Sequence, residues 1–160
     1  MTGIDYKDVK DNLPDKLSDL IEVALADLEK AENTEGQEIN MTAWVYVTDK
    51  DAQLCSLCLA GSVMAHSLGI VLHNSVSPES FAPSIKQKLY AIDEVRKGQI
   101  NNAIRRINRA NNDGYYIESS RNDAPINVFK NVSIVYYEES SEKWKAQMRH
   151  FIDELRMSNL

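Results

Sequence analysis

Cysteine is scarce in this 160-residue chain, occurring only as Cys55 and Cys58. Two thiols and no export signature point to a reducing cytoplasm, where disulfides do not persist. The opening stretch MTGIDYKDVKDNLPDK has no basic region followed by an apolar core, so no secretory signal is expected. Glycine is also sparse, and the six residues never cluster into a phosphate-cradling loop. H-x-x-x-H, H-E-x-x-H and G-x-S-x-G patterns are missing, so nothing local announces a metalloenzyme or a serine hydrolase. The uncharged apolar run from Leu54 to Ala65 falls short of the ~18 residues that a membrane span needs.

What is present suits one globular domain. Apolar residues make up 43% of the chain and charged residues 26%, ordinary values that exclude disordered and fibrous classes. A chain of this length hides roughly 70% of its unfolded surface and needs no staple to fold. The net charge of −6 is unevenly spread. Residues 1–51 carry net −8, whereas residues 86–109 carry net +5. Attraction within the fold, attraction across a homodimer, two separate partners and two solvated faces all fit this polarity.

Hydrophobic periodicity sets out the elements. Leu17, Leu20, Ile21, Ala24, Leu25 and Leu28 predict an amphipathic helix over about 14–32, with Pro14 in its first turn. ENTEGQEIN, residues 32–40, reads as a loop, and MTAWVYVT, residues 41–48, as a short strand. Asp51 is placed to cap a helix running from 52 to 68 that ends at Gly69. Ile85, Leu89, Ile92 and Val95 trace a further helix, and Ile100, Ala103, Ile104 and Ile107 a short one. VSIVYYE, residues 132–138, reads as a second strand. Trp144, Met148, Phe151, Ile152 and Leu155 mark a last amphipathic helix capped by Ser140 or Ser141. The fold expected is mainly α: a single compact helical domain over 1–160, with a buried central helix and room for a small two-stranded β element.

LCSLCLAGSVMA, residues 54–65, carries the chemical question. On a helix, Cys55 and Cys58 share one side near the N-terminus, where the dipole lowers a thiol pKa. No βαβ pattern of the thioredoxin kind accompanies the pair. A metal site would combine Cys55, Cys58, His66 and His73, although the gap between the histidines departs from finger spacing. Cys58 and His66 lie about 12 Å apart along a helix at 1.5 Å per residue, so only His73 or His150, brought in by folding, would serve as base to a nucleophilic cysteine. The structural alternative is a buried helix whose Ala60, Gly61, Ser62 and Ala65 let a neighbour approach closely. A mid-helix glycine costs about 0.5–1 kcal/mol relative to alanine, so Gly61 signals a packing constraint.

CSLCLAGSVMAHSLG, preceded by INMTAW and the amphipathic LPDKLSDLIEVALADLEK, resembles a group of small uncharacterised tailed-bacteriophage proteins with a C-x-x-C-L-A-G-[SA]-V-M-A core. The resemblance covers about residues 6–70. It implies a phage origin and work in the cytoplasm of an infected bacterium, and it carries over no catalytic residue.

Two charged surfaces complete the candidates. Arg96, Arg105, Arg106 and Arg109 lie in RKGQINNAIRRINRANN, where guanidinium groups on one face suit phosphates or carboxylates. Asp15, Asp19 and Glu22 head a row of carboxylates on the first helix, away from its apolar stripe, and such a row also suits imitation of DNA phosphates. The chain is therefore expected to be a non-enzymatic phage accessory protein that binds a host or phage macromolecule, with a protein as the favoured partner. Homo-oligomerisation is compatible with this reading, nucleic acid is the lesser partner, and neither a cofactor nor a membrane is called for. The rivals are a thiol- or metal-dependent function at the cysteine pair and nucleic-acid binding through the basic 96–109 segment.

Overall fold

The computed structural model describes residues 5–49, 54–72, 74–97, 141–157 and 159–160. Among them the protein is mainly helical, with four α-helices and one small three-stranded sheet. None of these helices is long and apolar enough to cross a membrane.

The first helix, α1 (Leu17–Glu32), forms where its periodicity places it, with Leu20, Ile21, Ala24, Leu25 and Leu28 buried. It begins three residues after Pro14, which was expected in its first turn, behind an extended Lys16. Its N-terminus is met by the far end of the chain. Ser18 Oγ donates to the Leu160 carbonyl at 2.7 Å, and the Ser18 amide points to the same oxygen at 3.4 Å. At the other end, Asn33 and Thr34 side chains donate to the Glu29 and Lys30 carbonyls, satisfying groups that the helix itself leaves open.

The next segment departs from expectation. Residues 32–40, expected as loop, contain strand β1 (Gln37–Ile39). Asn40 then turns the chain, its Oδ1 accepting from the Thr42 amide at 2.9 Å, and β2 (Val45–Asp49) follows inside the expected 41–48 strand region. The helix expected over 52–68 is not one element. Leu54–Leu57 form strand β3, and helix α2 spans only Leu59–His66. β3 lies in the middle of the sheet, parallel to β1 (Cys55 opposite Gln37) and antiparallel to β2 (Cys55 opposite Val47). A short apolar run has no period of its own, and two flanking strands with open hydrogen-bonding edges decide its conformation. Among the described residues the β element thus has three strands rather than two. The strand expected at 132–138 lies outside the described residues, as do the helix around 100–107 and the cap at Asp51.

Alternation sorts the faces of the sheet. Cys55, Leu57, Val45, Val47 and Ile39 belong to or pack on the core, whereas Tyr46 and Glu38 are exposed on the other face, beside Ser56. After α2, Gly69 takes φ +65°, a left-handed conformation open to glycine, and the Ile70 amide turns back to the Met64 carbonyl. A 3-10 turn (Pro78–Ser80) leads to α3 (Pro83–Lys97), whose Ile85, Leu89, Ile92 and Val95 are fully buried. Tyr6 stacks on Phe81 with ring centroids 5.0 Å apart, fixing the N-terminal arm to this turn.

The last helix, α4 (Ser141–Met157), buries the expected Trp144, Met148, Phe151, Ile152 and Leu155. Among the described elements its main partner is α1. α2 packs between α1 and α3.

Candidate functional site

The cysteines lie inside the protein. Cys55 is on β3 and Cys58 is the extended residue just before α2, so the two do not occupy one turn of one helix. Both are free thiols, Cys58 completely covered, and burial pushes the Cys55 thiol pKa up from its ordinary value. A raised pKa leaves less thiolate at neutral pH, the opposite of what a reactive cysteine needs.

His66 ends α2, with Nδ1 3.1 Å from the Ser62 carbonyl one turn earlier. His73 lies outside the described residues, and His150 on α4 has Nε2 3.8 Å from Glu154 of its own helix. Among the described residues no three His, Cys, Asp or Glu side chains gather as a metal group.

The residues that make the 54–65 stretch distinctive serve packing. The Trp44 carbonyl accepts the Cys58 amide at 3.3 Å, and a Cβ on Gly61 would overlap that same oxygen. The Trp44 ring meets Tyr90 edge-on at 5.4 Å. Tyr90 and Lys86 both reach the Glu79 carboxylate, whose pKa is lowered by Lys86 first and by Tyr90 next. Trp44, Cys58 and Gly61 thus hold the entrance of β2 against the start of α2. The buried Asp27 carboxylate accepts a hydrogen bond from Ser67 and lies 3.4 Å from Lys30.

The acidic candidates are on the surface and engaged by cations. Asp15 contacts Lys88 on α3 at 3.0 Å, and Asp11 contacts the same ammonium at 3.1 Å. Asp19 and Glu22 share Arg156 of α4, at 3.2 and 2.7 Å. Farther along, Glu29 meets Arg149 at 2.7 Å, while Glu32 and Glu142 share Lys145 at 2.6 and 3.4 Å. The row runs antiparallel, from 19 to 32 on α1 against 156 to 145 on α4. Lys145 is held protonated above the usual lysine pKa, first by its bond to Glu32, against the opposing effect of burial. For Lys88, desolvation pulls the pKa down, but Asp15 and Asp11 outweigh it and the net direction is up.

The sequence reading singled out the carboxylates and missed their partners. Lys145, Arg149 and Arg156 recur at helical spacing on α4, a signal legible beside 19, 22, 29 and 32 once the two helices are known to meet. Of the basic candidates, Arg105, Arg106 and Arg109 lie outside the described residues. Arg96 belongs to the last turn of α3, and its side chain is likewise outside them.

Between α1 and α4 the row borders an open groove of about 350 Å³. Its floor is Leu25, Ala26 and Ile152, and its rim bears Glu22, Glu29 and Asp153 beside Arg149 and Arg156. A second groove, about 440 Å³, lies between α1 and α3 and is spanned by Lys88, which also donates to the Leu13 carbonyl at 2.8 Å.

No known protein family, curated protein or solved structure matches the chain.

Proposed function

We propose that this protein is a non-enzymatic accessory protein of a tailed bacteriophage that binds another protein in the cytoplasm of the infected cell, using the acidic side formed by the N-terminal arm and α1. One observation carries this reading. Three cations along that side are each shared by two carboxylates: Lys88 by Asp11 and Asp15, Arg156 by Asp19 and Glu22, and Lys145 by Glu32 and Glu142. Each of these three clusters therefore carries one carboxylate more than its single cation balances. Such a surplus steers a basic partner and rejects an acidic one.

The burial of both thiols and the packing role of Gly61 and Trp44 favour this reading over cysteine chemistry. The test is native mass spectrometry of tagged protein recovered from a bacterial lysate without chelator. A metal-free species carrying one protein at fixed stoichiometry, released by D15N/D19N/E22Q, is the expected result. A stoichiometric zinc adduct or a retained nucleic acid overturns the proposal.

A further inference from the structure

We infer that the groove between α1 and α4 seats lysine or arginine side chains presented by a basic segment of the partner. This inference rests on the protein-binding reading above and names the chemistry that meets the acidic side. The groove combines two features that few ligands match together. Its floor is apolar, made by Leu25, Ile152 and the small, exposed Ala26. Its rim is negative, because Glu22, Glu29 and Asp153, with Asp19 behind them on Arg156, outnumber the two guanidinium groups of Arg149 and Arg156.

A long cationic side chain has the complementary pattern. Its methylene stem covers apolar surface while its head stays at a polar rim. Asp153 is an exposed carboxylate on the α4 side of the groove, whereas Glu22 and Glu29 on the α1 side already hold the arginines. An entering cation thus meets Asp153 without breaking the ladder that joins the helices. A DNA or RNA strand meets the wrong sign here, and an uncharged apolar peptide offers no cation to Asp153.

The test uses the whole protein and a fluorescein-labelled peptide of alternating lysine and alanine, followed by anisotropy at about 0.15 M salt, where the screening length is about 8 Å. Asp153→Asn removes the rim charge and keeps the ladder. Ala26→Phe fills the floor with no change of charge. Each is expected to weaken binding about tenfold, the equivalent of about 1.4 kcal/mol. Glu35→Gln with Glu38→Gln removes exposed carboxylates away from the groove and is expected to leave binding near the parent value. Thermal melts establish that each variant is folded. Equal weakening by the distant pair and by Asp153→Asn shows general acidity and overturns the seat. Full binding by Ala26→Phe does the same. Retention of the native partner by both groove variants likewise overturns the seat while the protein-binding reading stands, whereas a parent protein that recovers no protein partner removes that reading.

Discussion

The carbonyl oxygen of Trp44 lies against Gly61 so closely that a Cβ at position 61 would overlap it, while the same oxygen accepts the Cys58 amide. The obstacle is backbone at the entrance to β2, tied to the Cys58 amide, and cannot turn aside as a flexible side chain does. Gly61→Ala is expected to destabilise the protein by about 3 kcal/mol, the upper end for overpacking, despite the better helix propensity of alanine. Urea unfolding followed by circular dichroism checks it. A variant as stable as the parent removes the packing account of the 54–65 stretch.

Gly69 supplies the contrast. Nothing lies within 4 Å of a Cβ there, but φ is +65°. The cost of Gly69→Ala is therefore conformational, about 1–2 kcal/mol. Gly69→Asn is expected to cost less, since asparagine tolerates this region. The order Gly, Asn, Ala in midpoint denaturant concentration is the readout.

Both thiols are expected to resist a maleimide reagent at pH 7 in the native state and to react together once the protein is unfolded. Burial raises the Cys55 pKa in the folded protein. The stability linked to its neutral form is full below the ordinary thiol pKa and is lost as pH rises through the folded value. The parent is accordingly expected to lose stability at alkaline pH relative to Cys55→Ala. Rapid native labelling of Cys55 at neutral pH counts against the buried assignment.

Lys145 joins α4 to α1 through Glu32, with its side chain only 8% exposed. Lys145→Met keeps the apolar stem and loses the charged hydrogen bond, at an expected cost of about 1–2 kcal/mol near neutrality. The Lys145 pKa is raised in the fold, chiefly by Glu32. Its contribution is full below the ordinary lysine pKa and fades as pH rises through the raised value. The stability gap between parent and variant is expected to close at strongly alkaline pH, and a constant gap contradicts the ion-pair account.

By itself the sequence determined α1, α3 and α4, because each spans several turns and its buried residues, such as Ile85, Leu89, Ile92 and Val95, repeat at helical spacing. It also marked Gly61, since a glycine inside an apolar run requires a close neighbour. The conformation of Leu54–Leu57 was not legible there: four mostly apolar residues satisfy strand and helix alike, and the edges of β1 and β2 made them the central strand. The three-residue β1 was hidden for a different reason: Gln37–Ile39 is mostly polar and reads as loop, and its pairing to Cys55 lies many residues ahead. The carboxylates of α1 were legible as an acidic row. That Arg156, Arg149 and Lys145 face them was decided only when α4 packed antiparallel on α1, because an ion pair is a matter of distance in space and composition carries no distances.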